Sequence, residues 1–133
     1  MLAQPELELV RQANCTALVV EPAPAMARLL SRMIQDLGFA VIEASGPDEA
    51  LAEIEHRADE IDLVISELSL SEVSGSKLAS FVTQRRPNIP IVLLSDQPVP
   101  LPAAIAARAA FLTTPFSRDQ LAGAIQSLTA RNC

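Results

Sequence analysis

The stretch Asp62-Leu63-Val64-Ile65-Ser66-Glu67 constrains the fold more than any other part of the chain. Ile61, Leu63, Val64 and Ile65 make a nearly continuous apolar run, the pattern of a strand covered on both faces. Such a strand belongs in the middle of a parallel sheet. In open α/β sheets, ligands and chemistry gather at the carboxyl ends of the central strands, and Glu67 stands at that end. Taken alone, Glu67 is better read as a solvated acid at a strand terminus. Its interest comes from what the rest of the chain brings to the same edge.

Four further strands follow the same logic. Cys15 to Val20 is a second apolar run, ending in Glu21-Pro22. Pro24 suits the first turn of a helix, in which Met26, Leu29, Leu30, Met33 and Leu37 form one apolar stripe and Gly38 is the C-terminal cap. Phe39 to Ala44 reads as strand two. Ser45-Gly46-Pro47-Asp48 opens the next helix with a Ser three residues before an acid, a capping-box variant. Leu51, Ile54 and Ala58 supply its buried face, and His56, the only histidine, is expected on or beside it without a ligand set. After strand three, a loop to Ser74-Gly75 precedes a helix that turns Leu78, Phe81 and Val82 inward and ends at Arg85-Arg86-Pro87-Asn88. Ile89 to Leu94 is strand four, followed by Ser95-Asp96. Three prolines in Gln97-Pro98-Val99-Pro100-Leu101-Pro102 limit the next helix to about Ala103 to Ala109. Ala110 to Thr113 is strand five, and Ser117-Arg118-Asp119-Gln120 is a full capping box before Leu121, Ala124, Ile125 and Leu128.

Five alternations of strand and helix predict a doubly wound, five-stranded parallel sheet. The relative burial of the strands fits the order 2-1-3-4-5, with a crevice over the ends of strands one and three at Glu21 and Glu67. Residues 15–130 form this domain and residues 1–14 an N-terminal extension. A net charge of −6 provides no basic patch for nucleic acid. No apolar run approaches the ~20 residues that span a bilayer, and Glu6 and Glu8 interrupt any signal-like pattern. Cys15 and Cys133 lack metal-type spacing, so reduced thiols and a cytoplasmic location are expected.

Together these residues resemble the receiver domain of bacterial response regulators, from about Thr16 to Leu128, which implies a flavodoxin-like, CheY-like fold. The family's first strand ends in a pair of acids, here Val19-Val20-Glu21-Pro22. Its third strand reads Asp-Leu-Val-x-x-Asp before a loop to Gly, here Asp62 to Glu67 and Gly75. The fourth ends in Thr or Ser, here Ser95, and the fifth in Lys-Pro-Phe, here Thr114-Pro115-Phe116. The switch aromatic three positions earlier falls on Phe111.

The departures from that pattern imply a degenerate receiver. Family members phosphorylate themselves on the third-strand aspartate, with the phosphoryl group drawn from a histidine kinase. Magnesium and the lysine neutralise charge in a reaction that depends almost wholly on positioning and electrostatics. Here the acceptor position holds Glu67, one methylene longer, which displaces the carboxylate by ~1.5 Å. A misplacement of ~1 Å can cost ~100-fold. Pro22 has no side-chain oxygen, and Thr114 has no charge. Glu21, Glu67 and a backbone carbonyl near Ser69 remain as weak magnesium candidates, so no cofactor is expected. Phe111 lacks the hydroxyl that would report a two-state position, and Ser95 either bonds Glu67 or caps its strand.

The resemblance implies a non-enzymatic two-component signalling module acting through protein contacts. Its partners would be a histidine kinase, a phosphotransfer protein or a downstream effector. A phosphorylatable receiver with atypical residues is the alternative. A nucleotide- or flavin-binding enzyme on the same fold would need a phosphate cradle after strand one, and Glu21-Pro22-Ala23-Pro24-Ala25 has no glycine. A structural domain cut from a longer protein stays open. The small, apolar stretch 101–116, with Leu101, Ile105, Phe111 and the alanines from Ala103 to Ala110, is a candidate homodimer surface.

Overall fold

Asp62 starts the central strand by gripping its neighbour. Its N–H donates to the Thr16 carbonyl at 2.8 Å, and its carboxylate Oδ2 accepts the Thr16 N–H at 2.8 Å. This two-way contact joins β1 (Thr16–Val20) to β3 (Leu63–Glu67), and the pair runs parallel from Ala17↔Leu63 to Val20↔Ser66. The computed structural model describes residues 15–67, 78, 82, 84–96, 103 and 108–128. The expected extension 1–14, the loop with Ser69, Ser74 and Gly75, Phe81, the proline segment 97–102, and Leu101 and Ile105 of the candidate dimer surface lie outside these residues.

The remaining strands are β2 (Ala40–Ala44), β4 (Ile91–Ser95) and β5 (Ala109–Thr113). All pair in parallel in the order β2-β1-β3-β4-β5, as expected for the doubly wound sheet. Alternate residues of each strand point to opposite faces, and two cores result. Leu18, Val20, Val64, Ile91 and Leu93 meet Ala50 and Ile54 of helix α2 (Pro47–Arg57), with the helical residues Leu78 and Val82. Ala17, Val19, Leu63, Ile65, Val92 and Leu94 meet Leu30 and Ile34 of helix α1 (Pro24–Asp36). Leu121 and Ile125 of helix α3 (Arg118–Leu128) complete this second core. Ile65 is fully buried, and truncating such a side chain to Ala costs roughly 2–5 kcal/mol. Among the described residues no helix is long and apolar enough to cross a membrane.

Local signals set the helix ends. Pro24 occupies the first turn of α1, and Gly38, at φ 100°, follows its C-terminus with its N–H donating to the Gln35 carbonyl at 2.9 Å. The capping box of α3 closes reciprocally. Ser117 N–H donates to Gln120 Oε1 at 2.8 Å, and Gln120 N–H donates to Ser117 Oγ at 3.0 Å.

Several expectations are corrected. The buried stripe of α1 is Ala27, Leu30, Ser31 and Ile34, while Met26 and Leu29 are 46% and 54% exposed. At 100° per residue the helix carries two apolar flanks, and the sheet covers only one. Ser31 is buried because its hydroxyl donates to Glu43 of β2. At the start of α2 the acid that answers Ser45 is Glu49 rather than Asp48, through contacts of 3.2 Å to the N–H and 3.0 Å to the hydroxyl. His56, expected on or beside the buried face, is exposed. Strand four begins at Ile91 because Pro90 has no N–H and the Ile89 N–H is turned back to Arg86. Ala109 pairs with Ile91, so it belongs to β5 and any preceding helix stops short of Arg108. Cys15, expected as a reduced thiol, is buried and disulfide-bonded. The sequence has one other cysteine, Cys133, outside the described residues.

Candidate functional site

Because every strand is parallel, all five carboxyl ends share one edge, and the register sets their heights. Val20 lies opposite Ser66, Glu67 opposite Leu94, and Ser95 opposite Thr113. The residues singled out from sequence, Glu21, Pro22, Glu67, Ser95 and Thr114, therefore gather along that edge, contributed by four different strands.

Glu21 continues β1 by one residue, its N–H donating to the Ala44 carbonyl at 3.0 Å. It is buried, at 6% exposure, and its Oε2 accepts the N–H of Ala23 at 2.9 Å. Ala23 is the N-cap of α1 and makes no side-chain capping bond of its own. The Glu21 carboxylate thus satisfies an amide at the helix entrance, where negative charge is favoured. Pro22, half-buried beside it, turns the chain and adds no ligand atom.

Glu67 is half-buried at the last position of β3. It shares the pleat of Leu63 and Ile65, which face α1 and α3. Ser66 points the other way and is 2% exposed; its hydroxyl makes a long contact of 3.4 Å to the Glu67 carbonyl. Ser95 is equally buried and ends β4, and its carbonyl accepts the Thr114 N–H at 2.8 Å. That bond ties the ends of β4 and β5 together just before the cis Thr114–Pro115 peptide. Phe111, opposite Leu93, is half-buried and packs against the α2-side core. Within the candidate dimer stretch it therefore serves the domain's own interior.

Of the described residues, Glu21, Glu67 and Asp96 bring carboxylates to this edge, and that of Glu21 accepts the Ala23 amide. Among the described residues no group of three or more His, Cys, Asp or Glu side chains could hold a metal ion. Two residues of the Asp62–Glu67 stretch have supporting roles that its apolar pattern does not signal: Ser66 is a buried hydroxyl inside the strand, and Asp62, just before the first strand residue, clamps β1.

The family model described as the response regulator receiver domain matches residues 17–126. The chain is 30% identical over 112 residues to the transcriptional regulatory protein GlrR of Escherichia coli, covering 81% of this chain and 24% of that protein. It is 31% identical over 120 residues to the sensor kinase CckA of Brucella abortus, covering 86% of this chain and 12% of the kinase. The chain thus spans a small part of the curated relatives it matches. Among solved structures, the chemotaxis protein CheY4 of Vibrio cholerae superposes with a TM-score of 0.75 at 22% identity, covering 88% of this chain and all of that one. A receiver-domain protein from Clostridium thermocellum superposes at 0.73 with 19% identity, covering 86% and 93%. The sheet order and a family match over most of its length agree: the chain belongs to the response regulator receiver domain family.

Proposed function

We propose that this receiver domain acts in two-component signalling through protein contacts, without carrying a phosphoryl group on Glu67. The carrying observation is the composition of the shared strand edge. Glu67 occupies the acceptor position with one methylene too many, Pro22 replaces an acid, and Thr114 replaces the one cation. Phosphoryl transfer is catalysed by positioning and charge neutralisation, and all three substitutions weaken those two contributions. The remaining donors are a poor fit to a divalent cation, because the Glu21 carboxylate already accepts the Ala23 amide and Pro22 offers nothing beside it. No catalytic step is therefore assigned to a metal. GlrR is a transcriptional regulator and CckA a sensor kinase by name. Partners of the same kind for this chain are a kinase, a phosphotransfer protein or an effector domain.

Incubation with acetyl phosphate and magnesium, followed by intact-mass measurement, is expected to show no phosphoryl adduct. The variant combining Glu67→Asp, Pro22→Asp and Thr114→Lys is expected to acquire one. A stoichiometric adduct on wild-type Glu67 would overturn the proposal.

A further inference from the structure

Arg108 differs from the other described arginines. Arg57, Arg85, Arg86 and Arg118 each face a carboxylate, and Arg28 and Arg32 are exposed on α1. Arg108 is half-buried, and its guanidinium has neither a carboxylate nor a hydrogen-bond partner among the described residues. The guanidinium stays charged at any ordinary pH and presents five donors in a planar fork matched to carboxylate and phosphate oxygens. With the residue half-buried and no protein partner for the guanidinium among the described residues, the fork is available to an anion.

It also lines a concavity. Arg108, Asn88, Pro90, Ser127 and Leu128 surround a cleft of about 450 Å³. That volume lies within the range of small-ligand sites, roughly 300–1,000 Å³. The cleft sits at the amino ends of β4 and β5, under the last turn of α3. It is the opposite edge of the sheet from Glu21 and Glu67, about 17 Å away along five-residue strands. The negative end of α3 attracts a cation to this place, but that attraction uses none of the fork's N–H groups. The lining is chemically divided. Asn88 adds amide donors beside Arg108, while the Ser127 hydroxyl donates to the Ala124 carbonyl at 2.7 Å and offers the cleft only its lone pairs. Pro90 and Leu128 supply apolar wall.

We propose that this cleft binds a small organic oxyanion, its carboxylate or phosphate held by Arg108 and Asn88 and its apolar body lying on Pro90 and Leu128. The site is separate from the acidic edge, and its occupancy does not depend on the reading of Glu67.

The test is a nuclear magnetic resonance titration of the full chain with butyrate and with ethyl phosphate, against sodium chloride at matched ionic strength. Saturable shifts of the Arg108 Nε–H and the Asn88 side-chain amide are expected, and the tighter probe identifies the acid group. Arg108→Gln is expected to weaken that probe by roughly tenfold or more while the remaining amide spectrum keeps its folded dispersion. Arg108→Lys, which keeps the charge without the fork, is expected to weaken it as well. Absence of saturation with both probes overturns the proposal, as do equal affinity in Arg108→Gln and equal shifts with sodium chloride.

Discussion

Replacing Asp62 with alanine removes the carboxylate that accepts the Thr16 N–H at 2.8 Å, and leaves the reverse bond from the Asp62 N–H to the Thr16 carbonyl in place. The register of β1 on β3 therefore survives while one half-buried amide loses its partner. A hydrogen bond to a charged acceptor contributes about 1.5–3 kcal/mol. Asp62→Asn keeps an acceptor at the same reach without the charge, and neutral bonds are roughly half as strong, so its loss is expected near 1 kcal/mol. Against a total stability on the order of 5–15 kcal/mol, the alanine variant is strongly weakened but still folded. For a chain of this size, 2 kcal/mol lowers Tm by about 7 °C. Urea unfolding is the assay, with an unchanged m value reporting a native state that is otherwise intact. An Asp62→Ala variant within ~0.5 kcal/mol of wild type, the range of an uninvolved surface site, refutes the clamp. Equal damage from Asn and Ala refutes the role of the charge.

Ser117→Ala opens the reciprocal box at the start of α3 and is expected to cost about 1 kcal/mol in the same unfolding assay, with Gln120→Ala close behind. If the Glu67 charge holds the domain in one signalling state, Glu67→Gln weakens partner binding by roughly tenfold while Glu67→Asp retains more of it, since a bond to an ion contributes ~1.5–3 kcal/mol. Equal affinity of wild type and Glu67→Gln, measured by calorimetry with a captured partner, shows an idle charge. With Cys15 disulfide-bonded and one other cysteine in the sequence, thiol titration of the unreduced, denatured chain is expected to find no free thiol. In that titration, Cys15→Ser is expected to release one.

What the sequence determined by itself is what local physics decides. The nearly continuous apolar run before Glu67 marked a strand buried on both faces. Pro24, Gly38 and the Ser117–Gln120 box marked helix ends because their constraints act within a single turn. Strand alternation implied the parallel sheet and the relative burial of its strands the order, and with it the edge that carries Glu21, Glu67 and Ser95. Tertiary structure decided whatever depends on two distant segments meeting. Which of α1's two apolar flanks is covered follows from the sheet's position, so Met26 and Leu29 face solvent while polar Ser31 is buried against Glu43. The Glu21 carboxylate reads in sequence as a candidate ligand, and only the fold shows it holding the Ala23 amide. The cleft around Arg108 joins the entrances of β4 and β5 to the end of α3, three places far apart in the chain. No periodicity encodes such a meeting, because hydrophobic patterns record which side of an element is buried and not which neighbour buries it.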